Sequence, residues 1–214
     1  MGNITFSEIM KVYPAHNISV YDELKTACQK QYLIPFVGAG LSAFCGYKGW
    51  PGVLKQLAKY IYDSSIRGHV EALIEAGDLL QAAQDIQDNY PRMSKELPKI
   101  IDYSKVKNCD NDRWYASAAY VLPYLFGSGL VMTTNFDRVL EEAYDKGHSK
   151  FGNIITPYEA DRLTQIRQSN PHCLFKLHGD IGPEVHDIER LVFTQSQYDR
   201  AYADDGPLMR ELPH

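Results

Sequence analysis

Compact apolar runs alternate along this chain with longer segments in which apolar residues recur every three or four positions. Apolar runs of four to six residues are typical of buried β-strands. The runs that predict strands lie at 32–37, 130–133, 153–156, 173–177 and 188–193. Pro35 has no N–H group to donate, so we expect it to limit hydrogen bonding in the first strand.

The segments between these runs predict helices. Their apolar stripes lie at 19–30, 50–62, 70–83, 97–101, 114–126, 137–145 and 158–168, and a further helix begins at 195. Ser19 and Asp22 have capping-box spacing at the first helix, and the preceding residues 1–18 predict an irregular leader. Strands that alternate with helices indicate an α/β fold with a parallel sheet. The helical stretch at about 50–126 is interpreted as an insertion after the first strand.

Composition narrows the classes of function. The chain has 214 residues, of which 44% are hydrophobic and 23% charged, as in ordinary soluble domains. A net charge of −5 argues against direct nucleic-acid binding. The apolar runs are too short to span a membrane, and the N-terminus has no secretory signal. The four cysteines are too widely spaced to indicate a zinc site or disulfide framework. We therefore expect a cytoplasmic protein that needs no metal.

Three short motifs follow predicted strands and carry the candidate chemistry. The glycine-rich turn consists of Gly38, Ala39, Gly40, Leu41 and Ser42, and such turns let backbone amides approach a pyrophosphate. The second strand leads into Thr134, Asn135 and Asp137, and the strand at 173–177 leads into His178. Each motif taken singly also fits a purely structural role, such as a glycine turn, a helix cap at Asp137 or a core histidine.

Together the three motifs indicate a nucleotide site. The carboxyl ends of parallel strands meet at one edge of a sheet, so the glycine turn would hold phosphates while Asn135 and His178 face a ribose. Histidine titrates near neutral pH and suits acid–base catalysis. An ordinary dinucleotide fold is not matched, because helix follows the glycine turn in place of a second strand with its ribose-binding acid.

In this order, GAGLS at 38–42, TTNFD at 133–137 and KLHG at 176–179 resemble the three signatures of the sirtuin-like superfamily, over roughly residues 30–200. The chain is similar to the prokaryotic branch whose members hydrolyse NAD in anti-phage defence. The resemblance implies a Rossmann-like domain at 31–214 with a small helical domain inserted after the glycine turn. A leader and one helix would precede it at 1–30.

The resemblance also implies roles for individual residues. The cofactor-binding set would be Gly38, Ala39, Gly40, Ser42, Thr134 and Asp137, with Asp137 on the nicotinamide carboxamide. Asn135 would orient ribose hydroxyls or the attacking water, and His178 would be the catalytic histidine. The chain departs from sirtuin deacetylases at Thr134, where they carry glutamine, and it lacks their four-cysteine zinc module and the arginine after the glycine turn.

These features favour an NAD hydrolase that uses NAD as its substrate, releases nicotinamide and ADP-ribose, and depletes NAD in anti-phage defence. Two alternatives stay open: an NAD-dependent protein deacylase, and a non-catalytic module that senses NAD or ADP-ribose. Because unregulated NAD hydrolysis would kill the host, the resemblance implies control through a homo-oligomer, a fused domain or a partner sensor protein. Sirtuin-like folds continue beyond the catalytic histidine into a further strand, so we expect the fold to be incomplete at the C-terminus.

Overall fold

A parallel sheet forms the centre of the protein in a computed structural model that describes residues 6–12, 14–159, 162, 172–181 and 190–211. Its described strands are β1 (Phe36–Val37), β2 (Leu130–Thr133), β3 (Asn153–Ile155) and β4 (Cys173–Lys176). They lie in the order β1-β2-β4-β3, and every pair is parallel. The prediction of an α/β fold with a parallel sheet is therefore confirmed.

Helices precede the sheet, fill the segment between β1 and β2, and cover the sheet. They are α1 (Phe6–Val12), α2 (Pro14–Gln29), α3 (Trp50–Ala58), α4 (Ser64–Ala76), α5 (Leu79–Asn89), α6 (Met93–Ile100), α7 (Ser104–Lys107), α8 (Asn111–Tyr115), α9 (Ala118–Leu125), α10 (Val139–Lys146), α11 (Gln195–Ala201) and α12 (Pro207–Glu211). Short 3-10 helices cover Ala39–Cys45 and Pro157–Glu159. Residues 38–129, all of which are described, contain no strand. None of the described helices is long and apolar enough to cross a membrane.

The N-terminal segment differs from the prediction of an irregular leader at 1–18. Two helices occupy its described residues, and α2 begins at Pro14, five residues before the predicted capping box. Proline is well tolerated in the first turn of a helix, because the N–H it lacks would have no partner there. The hydroxyl of Ser19 bonds Glu23 within the helix and does not cap its start.

Two predicted helices are divided in the structure. The helix predicted at 70–83 is two helices, because Gly77 adopts a left-handed conformation with φ 84° and ends α4. The segment at 114–126 likewise forms α8 and α9, separated at Ser117.

Three further predictions, two for strands and one for a helix, have different outcomes. The first strand is limited to two residues, although the carbonyl of Pro35 still accepts from the N–H of Met132 at 2.9 Å. The predicted helix at 158–168 lies almost wholly outside the described residues. The described part of the strand predicted at 188–193, residues 190–193, is not in a strand.

Three apolar clusters hold the layers together. Alternate strand residues point to opposite faces of the sheet, so Val131 and Leu174 pack with α10 while Met132 and Phe175 pack with α11. The third cluster joins α3–α6 to three residues that follow β4, namely Ile181, Leu191 and Phe193. The helical segment therefore packs against the chain that leaves β4, next to the carboxyl edge of the sheet.

Candidate active site

A cavity of about 310 Å³ lies at the carboxyl ends of the strands. All three predicted motifs reach it, because β1, β2 and β4 are neighbours in the sheet. The predicted residues that line it are Ala39, Thr134, Asn135, Asp137 and His178. Gly38, Gly40 and Ser42 are not among its lining residues. The volume is at the lower end of the range for small-molecule sites, which suits a nucleoside-sized part of a ligand.

Asn135 joins the TTNFD segment to the glycine turn. Its side-chain Nδ2 donates to the carbonyl of Gly38 and to the hydroxyl of Ser42, each at 3.1 Å. Its own N–H donates to Thr133 Oγ1 at 3.0 Å, and that hydroxyl donates to the carbonyl of Val37 at 2.8 Å. Asn135 is only 6% exposed, and its Oδ1 is buried without a hydrogen-bond partner. A buried acceptor without a partner is costly, so this oxygen is suited to a donor on a ligand.

His178 lines the cavity with its imidazole largely buried. Burial lowers the pKa of His178 from 6.5 to about 4, so the ring is neutral at pH 7 and can accept a proton. Its Nε2 lies 3.1 Å from the phenolic oxygen of Tyr202. Burial, with a smaller effect from Tyr198, raises the pKa of Tyr202 to about 12, so the phenol keeps its proton and holds the imidazole in place.

Asp137 has a structural role in addition to its place in the cavity wall. Its Oδ1 accepts from the N–H of Val139 at 3.0 Å, which satisfies one of the free amides at the start of α10. The N-cap position of α10 itself is Arg138, so Asp137 bonds the first helical amide from one residue before the N-cap. The same residue lies beside the cavity, so the two interpretations of Asp137 do not exclude each other.

Aromatic residues that sequence reasoning did not assign form much of the wall. The ring of Phe193 lies 6.1 Å from that of Trp50 and 5.8 Å from that of Phe136, and Phe136 lies 6.2 Å from His178. Tyr47 and Lys48 also line the cavity. The sequence could have indicated Tyr47, Lys48 and Trp50 as site residues, because they follow the glycine turn closely. No sequence pattern indicated Phe193, because its position depends on the path of the chain after β4.

The two glycines of the glycine turn are surrounded by open space. A Cβ atom added to Gly38 or Gly40 would meet no atom within 4 Å, and neither residue has a positive φ. Backbone conformation and packing therefore do not demand glycine at either position. The open space would allow a ligand to approach the backbone closely, as at phosphate-binding turns.

Comparison with known proteins finds a family similarity in the C-terminal part of the chain. Residues 129–214 match the family model described as "SIR2-like domain". This part of the chain is therefore similar to SIR2-like domains. The segments TTNFD and KLHG lie within the matched SIR2-like region, while the glycine turn precedes it. The resemblance to sirtuin-like proteins is thereby confirmed, and the parallel α/β sheet agrees with the Rossmann-like architecture of SIR2-like domains.

Two relatives carry the printed name "NAD(+) hydrolase ThsA". The protein from Enterococcus faecium is 27% identical over 192 residues, which are 86% of this chain and 34% of that protein. The protein from Bacillus cereus (strain MSX-D12) is 23% identical over 208 residues, which are 95% of this chain and 38% of that protein. The chain thus spans little more than a third of the length of these relatives.

No group of three or more histidine, cysteine, aspartate or glutamate side chains suited to a metal ion occurs among the residues that the structure describes.

Proposed function

We propose that this chain hydrolyses the N-glycosidic bond between nicotinamide and ribose in NAD, as a regulated effector that depletes NAD in anti-phage defence. The observation that carries the proposal is the pairing, across one cavity, of a buried Asn135 Oδ1 without a partner and a neutral His178. The relatives named as NAD(+) hydrolases support the same substrate.

Cleavage begins as the bond between the ribose anomeric carbon and the nicotinamide nitrogen breaks. Its electron pair goes to the ring nitrogen, which turns the cationic pyridinium into neutral nicotinamide and leaves oxocarbenium character on the ribose. Asp137 would hold the carboxamide of the leaving group, and Asn135 would orient a ribose hydroxyl or the attacking water. Such a reaction depends on positioning and electrostatics more than on a strong acid.

His178 would take the proton that the attacking water loses. A pKa of about 4 makes it a weak base, which is sufficient because water becomes acidic as it bonds to the cationic ribose carbon. In the tautomer whose Nε2–H donates to the phenolic oxygen of Tyr202, Nδ1 keeps its lone pair, and we assign the accepted proton to Nδ1. The aromatic wall formed by Trp50, Phe136 and Phe193 would limit access of bulk water and favour the bound nicotinamide.

The test is nicotinamide release from NAD by the purified protein, measured over a range of protein concentrations, together with NAD levels in phage-challenged cells that express it. We expect Asn135→Ala and His178→Ala each to lower turnover by roughly 100-fold or more. His16→Ala, which changes an exposed histidine in α2, is the matched control and should keep full turnover.

Other outcomes separate the alternatives. NAD binding without nicotinamide release in either assay would contradict hydrolysis and support a sensing module. Nicotinamide release that an acetylated lysine peptide accelerates would support the deacylase. Concentration-dependent turnover would support control by a homo-oligomer, whereas activity restricted to challenged cells would support a fused or partner sensor.

A further inference from the structure

Lys176, the last residue of β4, places its ammonium group entirely inside the protein. The residue has 0% exposure, and Nζ has four oxygen partners. They are the carbonyls of Phe136 at 3.2 Å and Asp137 at 2.6 Å, Glu141 Oε1 at 3.0 Å and Asp180 Oδ1 at 2.7 Å. A buried cation is costly unless it is paired and fully hydrogen-bonded, and this one meets both conditions.

The charge of Lys176 is balanced by its surroundings. Burial alone would lower the pKa of the ammonium group, but Glu141 and Asp180 outweigh that effect and raise it. Arg138 pairs with Asp180 and lies 3.5 Å from Glu141, so two cations face two carboxylates. Lys176 is therefore protonated at neutral pH, with N–H donors for both backbone carbonyls.

The partners of Lys176 belong to both segments that carry the proposed catalytic groups. Phe136 and Asp137 follow β2, directly after Asn135, whereas Asp180 follows β4, two residues after His178. The N–H of Ile181 also donates to the carbonyl of Phe136 at 3.1 Å. One buried ammonium, which is not among the residues that line the cavity, thus joins the two segments.

Stability alone is a poor explanation for this arrangement. Well-packed apolar residues often replace buried ion pairs with little loss of stability, and an aliphatic side chain would suit a strand whose residues are all buried. The hydrogen bonds from Lys176 to the carbonyls of Phe136 and Asp137, in contrast, fix the backbone geometry at 136–137. An aliphatic residue could not make these bonds.

We propose that Lys176 is a positioning residue that sets the placement of Asn135 and Asp137 relative to His178. This inference rests on the proposed function for its consequence in catalysis, but its structural part can be measured without NAD. Lys176 has no place in the cavity wall, so it acts through the backbone carbonyls it holds.

Hydrogen–deuterium exchange of the ligand-free protein tests the structural part. In Lys176→Met, which keeps an unbranched side chain one atom shorter and removes its donors, amides at 134–138 and 177–181 should exchange at least about tenfold faster. Amides of α4 should be unchanged. Lys55→Met, which removes an exposed ion pair with Glu75, is the control and should leave exchange at 134–138 as in the wild type.

Steady-state kinetics at a temperature where the variant is fully folded test the catalytic part. We expect kcat for nicotinamide release to fall about 10- to 100-fold in Lys176→Met with a smaller change in KM, because misplacement affects the transition state most. Lys176→Arg, which keeps a cationic donor, should recover part of kcat. If the variant only contained less folded protein, the apparent kcat would fall. The KM and the amide exchange rates of the folded molecules would then stay as in the wild type.

The two proposals fail in different ways. Absence of NAD hydrolysis by the wild type would overturn the proposed function and leave the exchange result standing. Unchanged exchange at 134–138 in folded Lys176→Met would overturn the positioning role. If Lys176→Met does not fold, Asp180→Asn replaces it with the same expected exchange. Failure of both variants to fold would also overturn the inference, since the network would then serve folding.

Discussion

Asn135 uses the two ends of its side-chain amide for different purposes. The nitrogen fixes the TTNFD segment to the glycine turn through Gly38 and Ser42, while the oxygen is left without a partner. The motif alone predicted a polar group at a strand end but could not separate these purposes. That separation requires the glycine turn to lie beside the segment, and the parallel pairing of β1 with β2 places it there.

His178 gives a prediction of pH dependence. Its pKa is about 4 in the folded protein, below the ordinary 6.5, so the unfolded state binds more protons between these values. Its contribution to stability is therefore complete above pH 6.5 and is lost as the pH falls to about 4. Over that range the wild type should lose about 3 kcal/mol of unfolding free energy relative to His178→Gln.

Urea unfolding at several pH values between 4 and 7 checks this expectation. The comparison with His178→Gln cancels the contributions of other titrating groups. Parallel pH profiles of stability for the two proteins would show that His178 is not held neutral by burial.

At the scale of elements, the glycine turn gives the sharpest prediction. Gly40→Ala adds a Cβ into open space and should change the unfolding free energy by less than about 1 kcal/mol. If a phosphate group approaches the turn closely, the same methyl group should lower nicotinamide release at least about tenfold. Thermal unfolding and the nicotinamide assay measure the two effects separately.

Gly179 is the matched control for this experiment. Its φ is 93°, and an added Cβ would lie 2.8 Å from a side-chain carbon of Leu191 and 2.9 Å from the carbonyl of Arg190. Gly179→Ala should therefore destabilise the fold, by at least the roughly 1–2 kcal/mol of a left-handed residue. Full activity in Gly40→Ala would argue against a ligand at the glycine turn.

The elements also differ in how far the sequence predicted them. The strand at 130–133 was predicted with its observed bounds, and 173–177 with an error of one residue, because buried strands leave uninterrupted apolar runs. Helix ends were less accurate, since Gly77 ends α4 through a left-handed conformation within an apparently continuous apolar stripe. The helix over Pro14–Gln29 was missed at its start, because most of its residues are exposed and show no periodic apolar face.

At the scale of the whole molecule, one apolar cluster joins the helical segment between β1 and β2 to the chain that follows β4. Leu57 of α3 is fully buried in the cluster that also contains Ile181, Leu191 and Phe193, which follow β4. Leu57→Ala should therefore lower the unfolding free energy by about 2–5 kcal/mol. Because the cluster spans both parts, we expect a single unfolding transition at a lower temperature.

Calorimetry of the full chain measures this effect. Tyr62→Ala, at a fully exposed position nearby in sequence, is the control and should leave the melting temperature close to that of the wild type. Two separate transitions, with only one shifted by Leu57→Ala, would mean that the helical segment unfolds independently of the sheet.

The sequence by itself determined the parallel α/β class, the three motifs at strand ends and their resemblance to sirtuin-like proteins. These depend on local patterns: apolar runs, glycine spacing and short polar motifs. Only the tertiary structure decided four contacts. Asn135 is held through its side-chain nitrogen, Tyr202 contacts His178, Phe193 lines the cavity, and Lys176 joins the segments that follow β2 and β4. Each is a contact between segments far apart in the chain, fixed by strand order and by the path after β4, which no local pattern encodes.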